Sequence, residues 1–252
     1  MIHKEILIIV SNEKIARESY ELTLQNEYIS SQAIPGQFLH LSVKNHTLRR
    51  PLSIAAVNKA NQTITLLYKV VGSGTDELTK YRAGDTIDAL GPSGNGFMLE
   101  DIEENDEVLL IGGGIGVPPL HFLAQKLFEK NIKITAVLGF LSEEYKFYEA
   151  EFKRFGHTLI VTDDGSYGAK GRVTDIDLSD KNFKHYYSCG PLPMLKAVKE
   201  KYADIDGYLS FEERMGCGVG ACFACVLPTK DEKGYKKICI DGPVFSSKEV
   251  VI

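Results

Sequence analysis

Glu107-Val108-Leu109-Leu110-Ile111-Gly112-Gly113-Gly114-Ile115-Gly116-Val117-Pro118-Pro119 runs from an apolar stretch through a glycine turn into two prolines. A short apolar run bounded by glycine reads as a strand buried on both faces, and proline is tolerated in the first turn of a helix. Downstream, Leu120, Leu123, Ala124 and Leu127 recur at i, i+3, i+4 and i+7 and give that helix one apolar face. Residues 132–138 form the next strand, so the stretch is a βαβ unit. A second helix over 142–155, strands at 158–161 and 185–188, and a helix over 193–202 continue the alternation, which predicts a parallel sheet ending near residue 205. The glycine turn aims backbone N–H groups and a helix N-terminus at a place where a pyrophosphate can sit, making Gly112, Gly113, Gly114 and Gly116 candidate contacts. The spacing is not Gly-x-Gly-x-x-Gly, so by itself it also reads as an ordinary tight turn. Ser188-Cys189-Gly190-Pro191 closes a later strand, where ligands of open parallel sheets lie, although Cys189 equally suits a small core position.

Upstream the texture is different. Alternating apolar and polar residues at 20–24, 39–43 and 64–68, separated by turn residues such as Pro35-Gly36 and Asn61, predict a small antiparallel barrel over the first 97 or so residues. One helical insert is expected to open at Gly72-Ser73-Gly74-Thr75, with Ser73 or Thr75 as its cap. That turn and the Arg50-Pro51-Leu52-Ser53 stretch are the barrel's candidate ligand contacts: Arg50 can pair with a phosphate, and the Ser53 hydroxyl can meet a polar ring edge.

Downstream lie four of the five cysteines. Cys217, Cys222 and Cys225 follow a Cys-x4-Cys-x2-Cys spacing, with Cys239 after them. This is the ligand order of plant-type two-iron, two-sulfur clusters, with a shorter last gap. Structural zinc sites bring their cysteines as two close pairs and fit this order poorly. Gly216, Gly218 and Gly220 let the backbone wrap an anionic group. A disulfide scaffold suits small secreted chains rather than one of 252 residues. A short hairpin strand over 236–240 is expected to close the loop.

The length allows two modest domains and an appendage. Hydrophobic residues at 44% and charged residues at 25% mark a globular chain with a proper core. A net charge of −5 without a basic block argues against nucleic acid and anionic membrane surfaces as partners. The first apolar run, residues 6–10, is too short for a signal peptide or a spanning helix, which makes the cytoplasm the expected compartment. The six histidines show no ligand spacing and are assigned no metal.

Taken in order, Arg-Pro-Leu-Ser, the helix-opening Gly-Thr, Gly91-Pro92-Ser93-Gly94-Asn95-Gly96-Phe97, the 112–119 loop and Cys-Gly-Pro resemble the ferredoxin:NADP reductase superfamily. With the four-cysteine appendage, the whole chain resembles the electron-transfer subunits of B-type, NAD-linked dihydroorotate dehydrogenases. The resemblance implies an α/β plus all-β fold: an antiparallel flavin-binding β-barrel (1–98), a parallel α/β nucleotide-binding domain (99–206) and a small iron-sulfur subdomain (207–252). It implies FAD on Arg50, Pro51, Leu52 and Ser53, on Leu67, Tyr68 and Lys69, and on Gly74 and Thr75. NAD is placed at the 112–119 loop and at Cys189, Gly190 and Pro191, and a 2Fe-2S cluster on Cys217, Cys222, Cys225 and Cys239. The implied partner is an FMN-containing dihydroorotate dehydrogenase catalytic subunit, in a heterotetramer of two of each. No acid-base pocket for a small carboxylate substrate is left over among these motifs. Related reductase subunits serve hydrogenases, sulfide dehydrogenases and transhydrogenases, and a zinc-stabilised interaction module is a reading from another class. Glu143 and Glu144, with no Arg before Arg154, predict NAD over NADP.

Overall fold

The computed structural model describes residues 2–252. Six strands close a barrel: β1 (His3–Ala16), β2 (Ser19–Gln25), β3 (Phe38–Leu41), β4 (Arg50–Asn58), β5 (Thr63–Lys69) and β6 (Thr86–Ser93), in the order β1-β2-β5-β4-β3-β6. Alternation turns Leu22 and Leu24, Leu39 and Leu41, and Ile64, Leu66 and Tyr68 into one interior core, as the period-2 pattern requires. Two short helices lie on the barrel, α1 (Glu27–Gln32) and α2 (Ser73–Leu78). The cap of α2 is Gly72 rather than Ser73 or Thr75. Thr75 sits inside the first turn, where its hydroxyl accepts from the N–H of Val71 at 3.0 Å and donates back to the Gly72 carbonyl at 3.0 Å.

The second layer is a seven-stranded sheet. It contains β7 (Glu107–Gly113), β8 (Lys133–Phe140), β9 (His157–Thr162), β10 (Ala169–Lys170), β11 (His185–Cys189) and β12 (Gly207–Ser210). The helices are α3 (Val117–Glu129), α4 (Glu149–Lys153) and α5 (Leu192–Lys201). The strand order β10-β9-β8-β7-β11-β12 reverses between β7 and β11, which pair in parallel with Cys189 opposite Gly112. The crossovers leave those two strands in opposite directions, so a crevice opens at their C-terminal ends.

Three expectations are corrected here. The sheet does not end near 205: β12 extends it, and β15 (Val244–Ser246) returns from beyond the cysteines to pair antiparallel with β12. The single helix over 142–155 is instead a turn at Glu143–Tyr145 followed by α4. The break falls where the Phe147 ring is buried and Tyr148, at φ 62°, reaches across to Glu21 of the barrel through its hydroxyl. The closing strand over 236–240 is split between β14 (Tyr235–Lys237), paired with β13 (Val226–Pro228), and a helical turn, α6 (Ile238–Asp241), that carries Cys239. Among the described residues no helix is long and apolar enough to cross a membrane.

Barrel and sheet are joined through α3. His121 is buried, its Nδ1 lies 2.9 Å from the Ala55 carbonyl of β4, and its ring packs edge-on against Tyr148 and Phe152. Burial holds its imidazolium below the ordinary range, against the pull of that carbonyl. A histidine whose folded pKa is depressed contributes fully above about pH 6.5, and that contribution is lost as the pH falls. His121→Leu strands the Ala55 carbonyl and is expected to cost about 1–3 kcal/mol at pH 8. It should also flatten the loss of stability between pH 7 and 5 in urea titrations of the cofactor-loaded protein. A wild-type slope in the variant would place the acid sensitivity elsewhere.

Candidate functional site

A cavity of about 840 Å³ lies on the barrel side facing the sheet, and all nine barrel residues singled out in the sequence line it. Register explains the convergence: β4 and β5 are neighbours, and α2 follows β5 directly. The two adjacent arginines divide their work. Arg49 is tied to Asp88 at 2.5 Å and to the His40 carbonyl at 3.1 Å, whereas Arg50, among the described residues, makes a side-chain bond only to the Leu48 carbonyl and lies over Gly74. A Cβ on Gly74 would stand 2.2 Å from the Arg50 guanidinium, so this glycine is what lets a cation sit on the first turn of α2. A free guanidinium on exposed N–H groups fits a diphosphate. Tyr68 contributes differently from expectation: its hydroxyl donates to Asn12 at 3.0 Å and its ring belongs to the barrel core.

A second cavity, about 620 Å³, occupies the crevice between β7 and β11. Gly113, Gly114, Gly116, Gly190 and Pro191 line it. Gly112 and Cys189 do not. They lie behind the wall as paired strand residues, Cys189 fully buried. Glu143 and Glu144 are also absent from the lining. Glu144 is bound to Arg17 at 2.7 Å on the surface. The charged groups facing this cavity away from the shared wall are Asp163, at the end of β9, and Arg172. Neither was visible in the sequence, because the β9 end becomes a wall only once the strand order is known.

The two cavities share Lys69, Ile115, Phe211, Glu212 and Glu213. Glu212 stands just beyond β12 with its side chain exposed to both cavities. The protein packed around it raises its carboxyl above the ordinary range, opposed by the Ser53 hydroxyl at 3.4 Å, and its exposure to the cavities limits that rise. Behind it, burial first and the Glu212 charge second push the Cys189 thiol well up, so it stays neutral. Sequence reading missed Glu212, since a Glu-Glu-Arg run reads as a solvated loop.

The cysteines lie as two pairs, Cys217 with Cys222 and Cys225 with Cys239, and among the described residues no three of them close on one metal-sized point. Cys217 Sγ accepts from the N–H of Cys222 at 3.3 Å and of Val219 at 3.5 Å. Burial opposes ionisation there, but these N–H groups prevail and bring the Cys217 thiol down to about 7. Cys225 and Cys239 are buried together, and burial followed by the Cys225 thiol pushes Cys239 up to about 12. The Cys225 carbonyl accepts from Ile238 N at 2.8 Å, which sets α6 against the loop. Two sulfur pairs with N–H groups aimed at one of them suit a cluster in which each iron takes two thiolates. Phe38 of β3 packs in the same apolar group as Cys225 and Cys239, so the barrel wall is the floor of this centre.

Comparison with known proteins agrees with this division. Residues 7–97 match an oxidoreductase FAD-binding domain, and residues 212–251 match the iron-sulfur cluster binding domain of dihydroorotate dehydrogenase B. The second match disposes of the zinc module. Among solved structures, that of the NADH-dependent reduced ferredoxin-NADP oxidoreductase superposes with a TM-score of 0.88 at 31% identity, covering 98% of this chain and 90% of that one. Ferredoxin-NADP+ reductase from Plasmodium falciparum, at 17% identity and a TM-score of 0.65 over 79% of this chain and 89% of that one, shares the fold. The dihydroorotate dehydrogenase B (NAD(+)) electron transfer subunit of Shouchella clausii is 49% identical, over 98% of this chain and 97% of its own length. That of Geobacillus sp. strain WCH70 is 47% identical over the full length of both. With identity of that order from end to end, the chain belongs to the family of electron-transfer subunits of NAD-linked dihydroorotate dehydrogenase B.

Proposed function

We infer that the chain carries electrons from a dihydroorotate dehydrogenase catalytic subunit through a 2Fe-2S cluster and FAD to NAD+, in pyrimidine biosynthesis. The observation that carries this reading is the wall at Ile115, Phe211 and Glu212, where the two cavities meet, with the cysteine pairs set on the barrel beside them. FAD, when bound, takes electrons singly and gives them up as a pair in a hydride. The chain's own residues position the groups. Arg50 and the turn at Gly74-Thr75 hold phosphate, Pro51, Leu52, Ser53 and the 67–69 backbone edge the ring system, and Gly113, Gly114, Gly116, Gly190 and Pro191 admit the nucleotide. Cys217, Cys222, Cys225 and Cys239 ligate the cluster. Glu212 places a carboxyl at the junction of the two cavities. The partner is taken to be an FMN-bearing subunit, two of each forming a cytoplasmic heterotetramer. The barrel (1–98), nucleotide (99–206) and cluster (207–252) segments are each the seat of one carrier.

A second reading keeps the carriers and changes the partner. The 31% identity to the NADH-dependent reduced ferredoxin-NADP oxidoreductase structure over nearly the whole chain favours a transhydrogenase-type complex as that alternative. Reconstitution separates the two. The isolated chain should pass electrons from NADH to a dye, yield no orotate from dihydroorotate and NAD+, and gain that reaction when the dihydroorotate dehydrogenase subunit from the same cell is added. Orotate formation by the chain alone, or failure of that subunit to bind it, would overturn the assignment.

Arg50→Ala removes a cation of the flavin cavity that has no carboxylate partner among the described residues and is expected to weaken FAD binding by about 2 kcal/mol, releasing flavin on dialysis. Flavin content and affinity equal to wild type would make Arg50 a rim residue. NAD preference now rests on Asp163 rather than on Glu143 and Glu144, because a carboxylate there can accept from a ribose 2′-hydroxyl and repels a 2′-phosphate. With Arg172 on the same side of the cavity, next to the Gly171 that bonds Thr162, Asp163→Asn should lower the NADH-to-NADPH ratio of kcat/KM about tenfold or more, equivalent to roughly 1.4 kcal/mol of discrimination. An unchanged ratio in steady-state dye reduction would remove Asp163 from that role.

A further inference from the structure

His40 is a buried polar side chain that neither cavity uses. On β3, Leu39 and Leu41 enter the barrel core, which leaves Phe38 and His40 on the outer face. The cysteine segment covers that face. Phe38 belongs to the same apolar cluster as Cys225 and Cys239, and the His40 ring lies against Gly218, the residue after Cys217. His40 is 1% exposed, and neither of its ring nitrogens has a hydrogen-bond partner among the described residues. The adjacent Arg49 guanidinium already donates to the His40 carbonyl and has no lone pair to offer the ring. Burial first, and the Arg49 charge second, keep the ring neutral, with one N–H to place.

An N–H sealed from water without an acceptor is rare in a folded protein. The loop that the ring faces at Gly218 is built to hold a centre whose sulfurs can accept an N–H. Thiolate and sulfide sulfurs are anionic, and hydrogen bonds to them shift a cluster's reduction potential. Gly218 is suited to this approach on two counts. Its φ of +70° is a left-handed conformation, and a Cβ there would stand 2.2 Å from His40 Nδ1.

We propose that His40 donates its ring N–H to a sulfide of the cluster and is a positioning residue that raises the cluster's reduction potential. The proposal rests on the cysteine loop holding a 2Fe-2S cluster. It gives the barrel wall a role in the electron path, because Pro51, His40's partner across the β3–β4 pair, lines the flavin cavity.

The test uses the cofactor-loaded chain, prepared anaerobically, with iron, acid-labile sulfide and FAD measured first. Absence of iron and sulfide would sink the cluster reading itself, independently of any measurement on His40. With 15N-histidine label, pulsed EPR of the reduced wild-type cluster should show a weak histidine-nitrogen coupling that His40→Leu abolishes. In EPR-monitored redox titration, His40→Leu should disfavour reduction about tenfold, a shift of ~59 mV to more negative potential for a one-electron couple. His40→Gln, which keeps an N–H donor, should recover part of that shift. No histidine coupling in the wild type, which needs no variant to fold, would overturn the proposal and leave water as the ring's partner. A potential unchanged in both variants at full cluster content would overturn it as well.

Discussion

The parallel register that sets Cys189 opposite Gly112 is the constraint on which the rest of the molecule depends. It puts two glycine-rich strand ends side by side at the reversal of strand order, and with no side chains between them a crevice must open there. Helix α3 starts at that point. A Cβ on Gly116 would stand 2.3 Å from the Cys189 carbonyl, so the helix begins in direct contact with β11. Its direction is then fixed, and His121 arrives under Ala55 of the barrel. Both cavities and their common wall result from that docking, since Ile115 belongs to the loop that opens α3.

The cysteine segment is held by the same frame from two sides. β15 brings it back onto β12, whose next residues, Phe211 and Glu212, form the shared wall. The Asn95 N–H donates to the Gly242 carbonyl at 2.6 Å, tying the end of the barrel to the turn before β15. The appendage is therefore not a tail. Its last strand is part of the nucleotide sheet, and its centre rests on the outer face of β3.

How much of this could be read beforehand depends on the range of the interactions involved. The barrel, the βαβ unit and the cysteine order are written in local periodicity and spacing, which need no knowledge of distant partners. Arg50, Ser53, Gly74 and the crevice glycines were legible because backbone or short side chains place them within one turn or strand. Glu212, Asp163 and Arg172 were not, because each becomes a wall residue only through strand order, and each looks like a solvated charge in its own segment. The placement of Glu143 and Glu144 at the nucleotide is wrong for the same reason, although NAD is the acceptor named for the relatives. It assumed that the chain after β8 stays beside the cavity, whereas the turn carries Glu144 outward to Arg17. The helix expected over 142–155 gives way because Phe147 packs on Phe140 of β8 and Tyr148 reaches Glu21 across the domain boundary.

That boundary shows which forces hold the carriers in register. Arg17 and Glu144 form a 2.7 Å pair across it, but both side chains are more than half exposed, so solvent screens the pair and it holds little. Lys69 and Arg17 both lie over the Tyr145 ring, at 5.1 and 5.4 Å, contacts that a wet edge weakens in the same way. The buried His121 hydrogen bond and the Tyr148 hydroxyl on Glu21 are of another kind, because breaking either leaves a desolvated polar group, at about 1–3 kcal/mol. The aromatic cluster of His121, Tyr148, Phe152 and Phe155 surrounds these bonds and keeps water from replacing them. Register between the flavin and nucleotide cavities is thus set on the α3 side by buried, directional contacts, while the charges at the rim near Lys69 add little. Lys69 is left able to face both cavities with a loose 3.4 Å pair to Glu18 as its only carboxylate partner among the described residues.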